Sequence, residues 1–458
     1  MNAHYMGINE HTPFTKWFIA YVGLSLMAIH IVLIFVYLMT KEFSYSYLYS
    51  NMASYVAMIA TPYIFVDLTY SLVRRKIHLA HIALKVLLST GLSLVLLSAI
   101  GEIKPLSVEE RHFALQALGV FACIMVVWDI CRNISDVLPG SVTRVLLVGN
   151  DTLSEELRNL IDTAGPRYQL VGTMQHSHQD ADSLNADMSG LFETAKRLRA
   201  DKVVVSLTER RGALPLQEML NCKLSGIEVM DAPSLYERLT NKLLIESITP
   251  SWFIFSHGFK ITPVLRMAKR LMDVTGAVLG LTLCAPLAPF LILAIKLDSP
   301  GPVFFRQVRV GAGDREFTIF KLRTMRQDAE NGTGAVWATT ADPRITRLGS
   351  FLRKSRIDEI PQLINVLRGE MSLVGPRPER PEFVHELREA MSYYSERHFV
   401  KPGVTGWAQV CYPYGASVED ALEKLRYDMY YIKHISLFFD LKILIMTIGV
   451  VLLRKGAR

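Results

Sequence analysis

Apolar and polar positions divide the chain into three regimes, the first of which consists of four long apolar runs at residues 17–40, 52–72, 77–100 and 113–131. Each is close to the ~20 residues a helix needs to cross a bilayer core. The first run is too long for a signal-peptide core and no small-residue cleavage site follows it, so it is expected to be retained. Arg74, Arg75 and Lys76 form the densest basic loop and Arg132 follows the fourth run, whereas Lys41 and Lys104 stand beside acids. The positive-inside rule then places both ends of a four-helix bundle over residues 1–135, and everything after Arg132, in the cytoplasm. Asp67, His78, His81 and Lys85 could signal a proton relay. Three of them lie near the basic loop between the second and third runs, where they can snorkel to the interface, which favours that reading over a relay.

From residue 143 the period changes. Residues 144–149, 202–206 and 226–230 read as short buried strands and 153–161 as a helix, an alternation that predicts a small parallel, Rossmann-like α/β domain over 143–250. Dinucleotide binding is the obvious question. The loop Gly149-Asn150-Asp151-Thr152-Leu153-Ser154 keeps only the first glycine of G-x-G-x-x-G, which argues for a structural or regulatory module without a cofactor.

The third regime begins with another apolar segment, about residues 269–297, entered by Lys269, Arg270 and Asp273 and interrupted by Pro286 and Pro289. Proline inside a helix removes a hydrogen bond and bends the axis. The motifs downstream must share a compartment with Lys269, so a re-entrant hairpin accounts for the pattern better than a fifth span. Residues 304–325 then suggest a strand or short hairpin around Gly311 and Gly313, carrying Arg306, Arg309, Lys321 and Arg323. The final apolar helix, residues 437–453, is expected at the interface or packed on the re-entrant segment.

Chemistry concentrates at Asp358-Glu359. Ile360, Leu363, Ile364 and Leu367 recur at helical spacing, predicting a helix with that face buried, and Pro361 suits its first turn. The two carboxylates therefore sit at or just before a helix start, where anions are favoured. Neighbouring carboxylates repel, so their ionisation calls for Arg353, Lys354 and Arg356 or a divalent cation nearby. One carboxylate could attack phosphorus while the other helps hold Mg²⁺, and spacing alone does not choose which. Arg377, stiffened between Pro376 and Pro378, is the next candidate phosphate ligand. Trp407, in a turn-rich loop, reads equally as a ligand-facing ring or as core.

Composition supports a membrane protein, with 50% hydrophobic residues and a formal charge of +7. Residues 263–458 carry 28 Lys and Arg against 20 Asp and Glu, so the basic excess lies there. Beside apolar segments and without a nucleic-acid motif, it points to anionic lipid or phosphorylated substrates and excludes nucleic acid. Five scattered cysteines form neither a disulfide framework nor a zinc site.

Six motifs occur in one order: Lys269-Arg270-Leu271-Met272-Asp273, Ser299-Pro300-Gly301-Pro302, Lys321-Leu322-Arg323-Thr324-Met325, Asp358-Glu359-Ile360-Pro361-Gln362-Leu363, Gly375-Pro376-Arg377-Pro378, and Lys401-Pro402-Gly403-Val404-Thr405-Gly406-Trp407. In them residues 263–458 closely resemble the bacterial sugar transferases, the monotopic phosphoglycosyl transferases. The resemblance implies a mainly α, membrane-embedded catalytic domain on the cytoplasmic face of the inner membrane. It implies transfer of a hexose 1-phosphate from a UDP-sugar to polyprenyl phosphate with Mg²⁺, starting exopolysaccharide or capsule assembly, and it admits a homodimer.

Asp358 is the nucleophile the resemblance implies, Glu359 would help position Mg²⁺ or the acceptor, and Asp358 and Glu359 together are the candidate metal ligands. Arg306, Lys321, Arg323, Arg353, Arg356 and Arg377 are the candidate phosphate ligands. Many relatives place a serine before the breaking proline where this chain has Ala285. A non-enzymatic membrane regulator with a nucleotide-sensing α/β module is the competing reading. Nothing in the sequence selects the hexose.

Overall fold

The computed structural model describes residues 79–103, 107–135, 142–149, 151–163, 168–174, 190–206, 216–248, 250–256, 258–326, 344–412 and 417–452, with Gly415 and short helical pieces between residues 27 and 66. It divides into two compact units, with the break between Thr240 and Asn241.

In the N-terminal unit, α1 (Leu79–Ile103) and α2 (Val108–Ser135) are long apolar helices. A capping box starts α2: Ser107 Oγ accepts from the Glu110 N–H at 3.2 Å, and the Glu110 carboxylate accepts from the Ser107 N–H at 2.6 Å. Ile29, Leu33, Ile59 and Tyr63 from the two earlier runs pack against Phe113, Ala117 and Phe121. The Tyr63 ring meets Phe121 edge-on at 5.1 Å, and its hydroxyl lies 2.6 Å from Thr90 Oγ1. Most of the first two runs, with Asp67 and His78, lies outside the described residues. Lys85, the candidate farthest from the basic loop, is buried in the helix packing. It is 1% exposed, because it sits on the α1 face that carries Ser89 and Ser93 into the helix packing.

The α/β portion is a parallel sheet of order β2-β1-β3-β4, built from β1 (Thr143–Val148), β2 (Tyr168–Met174), β3 (Lys202–Val205) and β4 (Glu228–Asp231). The central strands are buried on both faces, as their unbroken apolar runs require. Strand β2 escaped the sequence reading because it is an edge strand, half-exposed, with Gln169 and Thr173 outward.

Gly149 ends β1 at φ +135°, where a Cβ would lie 2.0 Å from the Ser206 carbonyl oxygen. Just beyond it, Asp151 Oδ1 accepts from the Ser154 N–H at 2.9 Å and from the Ser154 and Ser206 hydroxyls, each at 2.6 Å. The start of α3 (Thr152–Thr163), where a dinucleotide's pyrophosphate would sit, is thus filled by the chain's own carboxylate.

The C-terminal unit is organised on a broken apolar helix: α4 (Pro263–Cys284), a 3-10 turn at Ala285–Leu287 holding Pro286, and α5 (Ala288–Asp298), which Pro289 opens. Thr262 caps α4 by accepting from the Leu265 N–H at 3.1 Å. Pro263–Asp298 and Val108–Val127 are the two segments among the described residues long and apolar enough to cross a membrane. Leu271, Leu279, Leu283, Phe290, Leu293 and Leu297 stand exposed along the broken helix. Both of its ends are anchored in the same unit: Asp273 accepts from the Leu373 N–H at 2.9 Å, and Ile295 packs with Val303, Leu322 and Leu352.

Around this axis lie an antiparallel hairpin, β5 (Phe304–Val310) with β6 (Glu316–Leu322), and helices α6 (Arg347–Lys354) and α7 (Gln362–Arg368). A parallel pair follows, β7 (Ser372–Val374) with β8 (Gly403–Thr405). The terminal helix α8 (Leu437–Leu452) packs on α4, which realises one of the two expected placements.

The apolar stripe Ile360, Leu363, Ile364 and Leu367 is not the buried face expected of it. The residues buried are Gln362, Asn365 and Val366, while Ile364 is exposed and the other three are half-buried. The stripe lies toward the broken apolar helix: a Cβ at Gly280 would come within 2.8 Å of Leu363 Cδ1. The opposite face is held by polar bonds to β6.

Candidate active site

Those polar bonds begin the site. Asn365, fully buried, accepts from the Phe320 N–H at 3.2 Å and donates to the Thr318 carbonyl and Glu370, each at 2.7 Å. This ties α7 to the strand that carries Lys321. The sequence signal for it is a pair of amides, Gln362 and Asn365, inside an otherwise apolar helix.

Helix α6 supplies the next wall. Its N-cap Thr346 accepts from the Gly349 N–H at 2.9 Å, and Gly349 itself lies against the Thr324 carbonyl, where a Cβ would be 2.0 Å from the oxygen. Arg353 Nε donates to Thr324 Oγ1 at 3.0 Å. The chain leaves α6 through Arg356, at φ 58° in the left-handed region, a conformation costing a non-glycine residue about 1–2 kcal/mol. It then makes a single 3-10 turn, Ile357–Glu359, before Pro361 caps α7. The two carboxylates stand just ahead of the helix start, as read from the sequence.

Asp358 and Glu359 are 7% and 8% exposed, yet their surroundings differ. Glu359 draws three cations: Arg377 at 3.0 Å, Lys321 at 3.3 Å and Arg356 at 3.5 Å. Burial alone would raise its pKa, but Arg377, Lys321 and Arg356 together outweigh burial and hold it well below the usual carboxylate range. Asp358 makes no ion pair among the described residues. Burial and the adjacent Glu359 charge push its pKa up to about 6, against the partial relief of Lys321, Arg353 and Arg377. Burial also lowers the Lys321 ammonium, with Arg377 adding to the effect, while Glu359 opposes it. The arrangement holds one carboxylate ionised and screened, and leaves the other short of counter-charge in a dry setting.

Arg377 is aimed by the meeting of two glycine-rich motifs. The Gly375 N–H donates to the Thr405 carbonyl and the Gly403 N–H to the Pro376 carbonyl, each at 2.9 Å. A Cβ on Gly403 would lie 2.1 Å from the Gly375 nitrogen, so this crossing requires glycine. The Arg377 carbonyl accepts from Arg397 at 2.9 Å, and the buried Arg397 pairs with Asp428 at 2.8 Å and donates to the Tyr394 hydroxyl at 2.7 Å. Burial pushes the Asp428 pKa up to about 6 even against Arg397. Arg397 and Asp428 were not singled out in the sequence, where nothing sets them apart from surface charges.

Lys321, Arg353, Arg356 and Arg377 are thus brought together around the acidic pair. Two other candidates stand elsewhere. Arg323 is buried and donates to the Ile295 and Ser299 carbonyls, at 3.3 and 2.6 Å, closing the end of α5. Arg306 is exposed and lies over the Phe320 ring at 5.6 Å. Pro286 and Pro289 stand at the break of the apolar helix, away from the acidic pair in sequence. Trp407 resolves to core: it is 1% exposed and its indole N–H donates to the Asn241 carbonyl at 2.9 Å. Among the described residues no group of three or more His, Cys, Asp or Glu could hold a metal ion.

Comparison with known proteins gives this geometry a family. The chain is 41% identical over 262 residues to a UDP-N-acetylgalactosamine-undecaprenyl-phosphate N-acetylgalactosaminephosphotransferase of Aeromonas hydrophila, covering 57% of this chain and 61% of that one. It is 36% identical over 313 residues to an undecaprenyl-phosphate glucose phosphotransferase of Komagataeibacter xylinus, covering 67% and 58%. The chain therefore spans about three fifths of the length of these two relatives. Against a UDP-glucose:undecaprenyl-phosphate glucose-1-phosphate transferase of Caulobacter vibrioides it is 44% identical over 193 residues, 42% of this chain and 72% of the other. The bacterial sugar transferase model matches residues 264–454, a stretch that contains every side chain gathered around Asp358 and Glu359, and the chain belongs to that family.

Proposed function

We propose that this protein transfers a sugar 1-phosphate from a UDP-sugar to undecaprenyl or a similar polyprenyl phosphate, starting the assembly of a surface polysaccharide. The relatives' names supply the donor and acceptor classes, with glucose and N-acetylgalactosamine both represented. The observation that carries the reading is the unequal treatment of the acidic pair: Glu359 makes three ion pairs, whereas the buried Asp358 makes none among the described residues.

In the first step an Asp358 carboxylate oxygen attacks the β-phosphorus of the donor. The bond to the bridging oxygen breaks and UMP leaves with that electron pair, leaving an aspartyl phosphosugar. A phosphate oxygen of the polyprenyl acceptor then attacks the same phosphorus. Its bond to Asp358 breaks, releasing polyprenyl diphosphate sugar and restoring the carboxylate. An aspartate poorly compensated by cations is the better nucleophile, and the cations that face Glu359 are at hand for the charge on the transferring phosphoryl group. Arg377 offers a forked donor and Lys321 a compact charge.

Asp358 and Glu359 also suit Mg²⁺, which takes one or two carboxylates and fills its remaining positions with water and substrate phosphate. Held there, the ion would supply charge neutralisation for the diphosphate, beside the four basic residues that already face the acidic pair. The broken helix Pro263–Asp298, anchored at both ends in one unit, supports a re-entrant seat in the inner leaflet with the catalytic unit on the cytoplasmic side. The N-terminal runs would add four spans, giving a bundle (1–135), an α/β module (143–250) and the transferase domain (263–458).

The test is to incubate detergent-purified protein with Mg²⁺, polyprenyl phosphate and a panel of UDP-sugars, following UMP. Wild type should be active with one sugar, and Asp358→Asn should be silent. Donor labelled in the β-phosphate, given without lipid, should leave label on Asp358. Full turnover by Asp358→Ala would end the proposal.

A further inference from the structure

A second polar cluster lies where the apolar helix α4 meets β7, just upstream of Arg377. Lys269 Nζ donates to Asp440 Oδ2 at 2.6 Å, to the Val374 carbonyl at 3.0 Å and to the Tyr431 hydroxyl at 3.2 Å. The Tyr431 hydroxyl in turn lies 2.7 Å from Asp440 Oδ1 and donates to it. One helical turn beyond Lys269, Asp273 Oδ1 accepts from the Ser372 hydroxyl and the Leu373 N–H, both at 2.9 Å. Asp440 and Tyr431 are 0% and 1% exposed and Asp273 is 3% exposed.

Every residue of β7 is therefore tied to the apolar helix through a polar bond, and the same strand runs on through Gly375 and Pro376 to Arg377. A buried ion pair is a poor way to gain stability, since well-packed apolar residues of the same volume serve as well or better. What it supplies is a direction. The bonds from Lys269 and Asp273 admit one register of β7 on α4, and a slip of one residue would turn Arg377 away from Glu359.

We propose that Lys269, Asp273, Tyr431 and Asp440 are positioning residues for the transfer: they brace β7 on the membrane-seated helix and so set where the Arg377 guanidinium stands. The inference rests on the transferase reading above. None of the four needs to touch substrate. Their effect passes through Arg377, which makes it separable from a general loss of structure.

The experiment is a double-mutant cycle on full-length protein in detergent, read as kcat and KM for UMP release together with the unfolding temperature. Lys269→Met/Asp440→Asn removes both charges at once and leaves no unpaired buried ion; Tyr431→Phe removes a single hydroxyl and covers the case in which the first variant does not fold. In the wild-type background the paired substitution should lower kcat on the order of 10- to 100-fold, the cost of misplacing a charge-stabilising group by about 1 Å, with donor KM changed less than about threefold. Tyr431→Phe should lower kcat by a smaller factor in the same direction. In an Arg377→Ala background the same changes should cost residual activity less than about threefold.

Equal losses in both backgrounds would overturn the brace, as would unchanged kcat in every folded variant. Wild-type protein that releases no UMP would overturn the transferase reading and this inference with it. Wild-type activity with additive losses overturns the brace alone.

Discussion

Asp358→Asn should silence the enzyme and stabilise it. The side chain is 7% exposed, and its pKa stands at about 6 against an ordinary 3.8. Holding it ionised in the folded state therefore costs about 3 kcal/mol. Because the folded pKa is the higher one, the folded protein keeps a proton that the unfolded chain has lost between pH ~4 and ~6. Stability then falls with rising pH across that window and is level above it. Asparagine keeps the shape and has no charge to desolvate. Its advantage should be under about 1 kcal/mol at pH 4, about half developed at pH 5 and complete by pH 7. At about 2–4 °C per kcal/mol, that is a rise in unfolding temperature of about 6–12 °C at pH 8. Unfolding of both proteins in the same detergent, followed by intrinsic fluorescence at pH 5 and pH 8, reads the difference. An Asn variant no more stable than wild type at pH 8, or a gap that does not change with pH, would refute the account of Asp358 as an under-compensated nucleophile.

Four further outcomes follow from the same geometry. Since attack needs the carboxylate, kcat/KM for UMP release should drop about tenfold per pH unit below about 6 and level off above it, a limb that Asp358 protonation produces and a rate profile would reveal. Arg377→Ala should reduce kcat/KM by about 10²–10³ if, as proposed, its charge serves the transferring phosphate; a loss below tenfold would remove Arg377 from the site. Arg323→Ala should leave kcat/KM within about threefold while lowering stability by about 2 kcal/mol, as the Ser299 carbonyl loses the Arg323 donor and the Ile295 carbonyl one of its two. In the α/β module, Asp151→Ala should cost α3 about 1 kcal/mol, seen as faster amide exchange over residues 152–163; unchanged exchange would contradict its capping role.

Lys321 and Arg323 show how far strand alternation can be trusted. Two residues apart, they should share a face of one strand, and the sequence makes both phosphate ligands. Strand β6 stops at Leu322, so only Lys321 follows the pleat toward Glu359. Arg323 turns instead to the end of α5, where it donates to the Ser299 carbonyl just past the apolar helix. The stripe Ile360, Leu363, Ile364 and Leu367 failed for a related reason. Periodicity finds a helix and its apolar side, but whether that side meets a closed protein core or an exposed apolar helix depends on what packs there.

By itself, the sequence determined what is local or compositional: the apolar helices, the parallel α/β pattern, the proline break near residue 286, and an acidic pair set just ahead of a helix start. These follow from side-chain period, backbone restriction and the charge preference of helix ends, all of which act within a few residues. Tertiary structure alone decided the inequality between Asp358 and Glu359, the buried bonds of Asn365 and Arg397, the core placement of Trp407, and the union of Gly375 with Gly403 that aims Arg377. Each depends on groups far apart in the chain meeting where water is excluded, and there a few ångströms decide which of two adjacent carboxylates receives the counter-charge.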